Sequence, residues 1–242
     1  MRLDVALLPE LVDRQALPTS TVLVVDVLRA STTIIAALGN GCAGVVPVVE
    51  PDEAHRRAHA LGAGARLAGE RKGLMIEGFD LGNSPLEMTA ERVGGKTLVF
   101  TTSNGTGALL AARAAAAVGV AALVNLSAAG AWAHGHGRDV TVICSGERGN
   151  VSLEDTVCAG LLLDVLLRHE PGAALSAAGR EALEVGRGYG KAVARLAQES
   201  PWGRHLTAAG RVADLAACLV LDTTTLVPVY APAIDKVIVG SR

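Results

Sequence analysis

The chain has 242 residues, of which 50% are apolar, 19% charged and only 2% aromatic. That balance excludes a disordered chain and leaves Ala, Val and Leu to build the core. With 22 Lys plus Arg against 24 Asp plus Glu and a net charge of −2, it also argues against a nucleic-acid surface, which needs basic patches and aromatic platforms.

The N-terminus, MRLDVALLPE, carries Asp4 and Glu10 and no long apolar region, so it does not read as a signal peptide. Residues 21–27 (TVLVVDV) form a β-branched run of the kind a buried parallel strand needs. They lead through RASTT into an apolar helix at 34–38. Residues 45–49 (VVPVV) predict the next strand, and Pro47 argues for an edge or a bulge. Pro51 opens an amphipathic helix through about residue 61. Further strands are predicted at 97–101, 121–125 and 140–144. Helices follow at about 107–117, 153–168, 176–184, 190–199 and 208–218. The alternation predicts a layered α/β/α protein with a mixed sheet. The apolar stretch 108–133 is broken by Arg113, Asn125 and glycines well before roughly 20 clean residues, so no membrane span is expected. Cys42, Cys144, Cys158 and Cys218 lie far apart without a CxxC pair, which suits free buried thiols in a reducing cytoplasm.

A repeat is visible. Shifted by 75, TVLVVDVLRASTTIIAAL overlays KTLVFTTSNGTGALLAAR without a gap, pairing Asp26 with Thr101. Gly69-Glu70-Arg71 meets Gly146-Glu147-Arg148 at a shift of 77. The reading is one unit over residues 1–242, with an internal duplication of a strand–loop–helix unit. Its repeats span about 21–96 and 97–170, and a helical and strand segment covers 171–242.

Three polar segments follow predicted strands, where open α/β sheets bind ligands. In the first, Asp26 and Arg29 precede Ser31, Thr32 and Thr33; helix-start N–H groups and hydroxyls suit a phosphate, and arginine adds a bidentate contact. A plain helix cap by Ser31 or Thr32 is the alternative. The second is Thr102, Ser103, Asn104, Gly105 and Thr106, a small-residue loop without the lysine of a P-loop. The third runs from Cys144 through Glu147 and Arg148 to Glu154 and Asp155. Arg148 comes too soon after Cys144 for a tyrosine-phosphatase loop, so a buried thiol is expected there. Ser152 before Glu154 and Asp155 reads as a helix start, and a metal-ligand reading of the acids stays open beside it. Between the repeats, Glu70, Arg71, Lys72, Glu77 and Asp80 crowd a glycine-rich segment ending GFDLGNSP. Without a His/Cys cluster, an oxygen-ligated Mg²⁺ is the metal the chain suggests. No GxSxG elbow is present.

VVDVLRASTTI (24–34), GERKGLMIEGFDLGNSP (69–85), TTSNGT (101–106) and CSGERGNVSLEDTVCAG (144–160) together resemble the 2-phosphosulfolactate phosphatase family, the ComB-like proteins. The tail, with Gly210, Asp214, Cys218 and Val227-Pro228, is also similar. Ser103 stands where the family pattern suggests threonine, and the helix after it is unusually alanine-rich. The resemblance implies a Mg²⁺-dependent phosphatase for a small sulfonated hydroxy acid, a step known best from coenzyme M biosynthesis.

On that reading Asp26, Arg29, Glu154 and Asp155 are catalytic. Ser31, Thr32, Thr33, Arg71, Thr102, Ser103, Asn104, Gly105, Thr106 and Arg148 bind the phosphorylated acid, with Arg29 as the main clamp. Mg²⁺ would be held by a subset of Asp26, Glu70, Glu147 and Asp155, with at least three carboxylates meeting at one point. Direct water attack is favoured over Asp26 as a covalent nucleophile, because Leu28 stands where a haloacid-dehalogenase pattern wants a second aspartate. A non-catalytic phospho-metabolite or nucleotide-binding module is the alternative, and an interaction protein with merely capped helices is a third. The expected partner is a small phosphorylated acid, with no nucleic acid and no membrane; homo-oligomer formation stays open.

Overall fold

The computed structural model describes residues 1–240, so the last two residues of the 171–242 segment lie outside the described ones. After β1 (Arg2–Ala6), the first repeat runs β2 (Thr21–Val25), α1 (Ala30–Gly39), β3 (Gly44–Pro47), α2 (Pro51–Leu61) and β4 (Ala65–Arg71). β5 (Leu74–Met75) and α3 (Ala90–Val93) lie in the connection. The second repeat runs β6 (Thr97–Thr101), α4 (Gly105–Ala112), β7 (Ala117–Ala121), α5 (Leu126–Gly135) and β8 (Val140–Cys144). Next come α6 (Leu153–His169), β9 (Ala174–Leu175), α7 (Ala177–Tyr189), α8 (Leu196–Glu199), α9 (Pro201–Ala208) and α10 (Val212–Cys218). The antiparallel pair β10 (Pro228–Ala231) and β11 (Lys236–Val239) closes the described chain.

Among the described residues these strands form one mixed sheet in the order β5-β4-β6-β3-β11-β10-β7-β2-β8-β1-β9. The run from β4 to β8 reads the same backwards when the strands of one repeat are exchanged for those of the other. β6 of the second repeat is inserted between β3 and β4 of the first, and β2 of the first between β7 and β8 of the second. β2 and β6 thus hold equivalent places in the two halves of the sheet, and Asp26 and Thr102 each follow the end of their strand. The loop after β6 is one residue shorter than its counterpart.

Strands within each block are parallel, but the blocks run in opposite directions, because antiparallel pairs join β3 to β11, β11 to β10 and β10 to β7. The two polar loops thus leave oppositely directed strands. They still meet, because α1 and α4 pack together between the blocks. One core joins Val22 and Val24 of β2, Ile34 and Leu38 of α1, Leu98 and Phe100 of β6, and Ala108 and Leu109 of α4. The alternate residues Leu23 and Val25 face outward and pack against Leu162 and Leu166 of α6 and Leu183 of α7. On the far side Val46 and Val99 pack on Ala54 of α2 and on Phe79. Each fully buried Val or Leu contributes about 1.5–3 kcal/mol, so these layers fix the strand ends that carry the site.

Tertiary pairing corrects the sequence reading where the local pattern is flat. The strand expected at 121–125 lies at Ala117–Ala121, and α4 stops at Ala112. The alanine-rich run has no period to place a strand, whereas pairing of Leu23 with Gly119 does. The helix expected at 190–199 is only α8, because α7 continues to Tyr189. The one expected at 208–218 is broken at Gly210, whose φ of 74° is left-handed. Pro47 sits in an interior strand; β11 meets β3 at Val45, so the missing N–H of Pro47 leaves no ladder bond unmade there. No helix among the described residues is long and apolar enough to cross a membrane.

Candidate active site

Asp26 and Arg29 from the β2–α1 loop, and Ser103 and Asn104 from the β6–α4 loop, line one narrow cleft. The turn after β4 adds Glu70 and Lys72, and the turn after β8 adds Glu147 and Arg148. Asn83 and Trp202 complete the walls. The two repeats therefore face one cavity, as the pairing of the loops anticipated.

Three N–H groups of these loops are already taken by carboxylates of the cleft itself. Asp26 Oδ1 accepts from the Ala30 N–H (3.0 Å). Glu70 Oε1 accepts from the Ser103 N–H (2.7 Å) and Oε2 from the Gly73 N–H (2.6 Å). Anions at helix starts are favoured electrostatically, and here the protein supplies them itself.

Most of the hydroxyls expected to bind phosphate make hydrogen bonds within their own loops. Ser31 Oγ accepts from the Asp26 N–H (2.9 Å), and its counterpart Thr106 Oγ1 accepts from the Thr102 N–H (3.3 Å). Thr102 Oγ1 accepts in turn from the Thr106 N–H (3.2 Å). Thr32 donates to the Val27 carbonyl (3.0 Å), and Thr33 is buried with its hydroxyl unpartnered. Neither Ser31 nor Thr32 is the N-cap of α1, which begins at Ala30. Gly105 packs against Asp26. None of Ser31, Thr32, Thr33, Thr102, Gly105 and Thr106 lines the cleft; Ser103, Asn104 and Arg148 do.

Two arginines are also placed differently from the expectation. Arg71 turns away to the Val49 carbonyl (2.6 Å) and Thr101 Oγ1 (3.0 Å), and Lys72 takes its place in the cleft. Arg29 lines the cleft, but its guanidinium is ion-paired with buried Asp214 of α10 and reaches the Gly73 carbonyl (3.3 Å). Asp214 also accepts from Ser84 Oγ (2.6 Å). Arg29 is thus an anchored cation rather than a free clamp.

Behind the cleft wall lie Glu154 and Asp155, both buried. Asp155 accepts from the Val27 N–H (2.9 Å) and from Ser145 Oγ (2.9 Å), and Ser152 caps α6 by accepting from the Asp155 N–H (3.2 Å). Burial, reinforced by the charges of Asp26 and Glu154, pushes the Asp155 carboxyl well above the usual range. Burial likewise raises Glu154. Asp26 is pushed up to about 6 by burial, a rise offset in part by the Ala30 N–H and reinforced by the Glu70 and Glu154 charges. A carboxyl titrating there is suited to proton transfer near neutral pH. Burial pushes the Cys144 thiol well up, which suits an inert core residue.

The expected meeting of three carboxylates does not occur: among the described residues no three His, Cys, Asp or Glu side chains are placed to hold a metal ion together. Asp26, Glu70 and Glu147 nevertheless line the same cleft and offer hard oxygens. Together with Asp214 they outnumber Arg29, Lys72 and Arg148. That donor set fits Mg²⁺, which is commonly held by one or two carboxylates with substrate phosphate and water completing its shell. Asn83, Asp214 and Trp202 carry no expectation as site residues from the sequence. Asn83 lies in the charged GFDLGNSP segment, which was the available signal; nothing local marks Asp214 or Trp202.

The structure is that of a layered α/β protein whose loops bring carboxylates and basic side chains into one polar cleft. The sequence model of the 2-phosphosulpholactate phosphatase family matches residues 6–232. A relative from Symbiobacterium thermophilum, named "Probable 2-phosphosulfolactate phosphatase", is 41% identical over 86% of this chain and 89% of its own. Relatives of the same name from Thermotoga petrophila (36% identical, 86% and 88%) and Clostridium tetani (40%, 69% and 72%) agree. The chain belongs to the 2-phosphosulfolactate phosphatase family, and with it to the hydrolases.

Proposed function

We propose that this protein hydrolyses the phosphate monoester of 2-phosphosulfolactate to sulfolactate and phosphate, with Mg²⁺ in the cleft. One observation carries the metal: Asp26 and Glu70 each accept from an N–H of the two loops and so set negative charge where an anionic substrate would enter. A substrate with phosphate, carboxylate and sulfonate would meet these acids and Glu147, so a cation between them is required. One or two of Asp26, Glu70 and Glu147 would hold Mg²⁺, which would supply Lewis-acid polarisation of the phosphate and a more acidic bound water.

The chain's own residues do the rest. Arg148, Lys72 and the Asn104 side chain hold and orient anionic oxygens. Water attacks phosphorus, the bond from phosphorus to the C2 oxygen breaks, and the water proton passes through Asp26 to the leaving oxygen. Asp155 and Glu154 keep Asp26 in a low-dielectric setting. The four cysteines, all free and buried, suit a reducing cytoplasm.

The test is release of inorganic phosphate from 2-phosphosulfolactate and from a panel of small phosphorylated acids, with and without Mg²⁺. Turnover of 2-phosphosulfolactate above the panel supports the reading. The runner-up reading is a non-catalytic phospho-metabolite or nucleotide-binding module. Tight binding with no release of phosphate would establish that reading instead.

A further inference from the structure

Asn83 is 6% exposed and lines the cleft, and among the described residues no group bonds its side-chain amide. Its Oδ1 is enclosed and only accepts; the NH₂ group, a donor without a protein acceptor, is the part that an anionic oxygen in the cleft can complete. Its surroundings are rigid rather than slack. The adjacent Ser84 hydroxyl donates to Asp214, and Asp214 holds Arg29, so Asn83 and Arg29 are fixed by one network. Ser103 and Asn104 are further neutral groups of the cleft, on the less buried β6–α4 loop. Asn83 is the buried amide of the lining, able to bond an anionic oxygen without adding charge.

We infer that Asn83 is a substrate-binding residue, its amide NH₂ donating to an anionic oxygen of the small acid held in the cleft. This rests on the phosphatase reading above and adds to it the group that orients the substrate. An amide suits this position because the cleft holds acids that a further cation would neutralise. A carboxylate there would repel the substrate, and an alkyl group would leave its oxygen unpaired.

The experiment uses the full chain with Asn83→Asp and Asn83→Leu, melting curves, steady-state kinetics on 2-phosphosulfolactate, and calorimetric binding of inorganic phosphate and of sulfolactate. Asn83→Leu removes an unpaired polar group, so its melting temperature is expected to be equal to or above wild type. KM is expected to rise about ten- to a hundred-fold in both variants, the scale of one lost bond to a charged group, with kcat changing less. Weakened phosphate binding would place Asn83 on the phosphoryl group; weakened sulfolactate binding would place it on the acid. Either supports the inference. A fall in melting temperature with unchanged KM would make Asn83 merely structural and overturn it, as would unchanged binding of both ligands. A wild type that releases no phosphate but binds these ligands through Asn83 would sink the phosphatase reading and leave this one standing.

Discussion

Ala30 and Gly105 stand against each other where the two repeats meet. A Cβ added at Gly105 would lie 2.6 Å from the Ala30 Cβ and 2.5 Å from Asp26 Oδ2. The first residues of α1 and α4 are thus in contact, and the carboxylate at the heart of the cleft rests on the second of them. Gly105→Ala is expected to cost about 1–3 kcal/mol through overpacking and to lower kcat/KM by displacing Asp26. Adding Ala30→Gly relieves one contact and should recover part of the melting temperature, but not the activity, since the clash with Asp26 remains. A fully active Gly105→Ala enzyme would remove the claim that Asp26 must lie where it does.

Metal dependence is expected to be complete. Excess chelator should abolish phosphate release, and Mg²⁺ should restore it. Mg²⁺ should also raise the melting temperature, because a cation binding the folded acids stabilises them by mass action. Full turnover in excess chelator contradicts the metal.

The buried acids give a signed pH dependence. Folded Asp26 keeps its proton up to about 6, against an ordinary value of 3.8. Between those values the folded chain binds more protons than the unfolded one, so this stabilising contribution is lost as pH rises through about 6. Glu154 and Asp155 are raised as well and act with the same sign. In chelator, the melting temperature should be higher at pH 5 than at pH 7.5, and Asp26→Asn should reduce the difference. A wild type that melts higher at pH 7.5 would reverse the sign and count against the burial argument.

The Arg29–Asp214 pair is buried at both ends, with side chains 3% and 5% exposed. Asp214→Ala leaves the guanidinium uncompensated and is expected to cost about 3–5 kcal/mol. Arg29→Lys keeps the charge but cannot reach both Asp214 and the Gly73 carbonyl as a planar fork does. Its kcat/KM is expected to fall by roughly ten- to a thousand-fold, measured at matched folded fraction. Unchanged kinetics in a folded Arg29→Lys enzyme would separate this pair from the chemistry.

Much of the site could be read from the chain because strand-end loops announce themselves locally. Asp26, Arg29, Ser103, Asn104, Glu147 and Arg148 were named from such loops, and all line the cleft. The direction of each side chain was not legible, because it depends on hydrogen bonds closed in three dimensions. Ser31 and Thr32 look like phosphate ligands in sequence but turn to Asp26 and Val27. Arg71 and Lys72 are adjacent, and only the left-handed Lys72, with φ of 57°, turns into the cleft. Asp214 lies far along the chain from Arg29, and no spacing rule links them. A repeat can be read in the sequence, but the difference in length between its two loops, 26–29 and 102–104, shows only where the strands and helices end.

The reciprocal insertion of β2 and β6 makes each repeat a mould for the other. A fragment ending before β6 would carry β3 and β4 with a slot one strand wide between them, about twice the usual 4.8 Å spacing. The second repeat alone would have the same slot between β7 and β8. Neither half can close its ladder unaided, so the two must condense together or not at all. The chain behaves topologically as a strand-exchanged dimer whose subunits have been tethered, and the tether guarantees that the exchange partner is always its own other half.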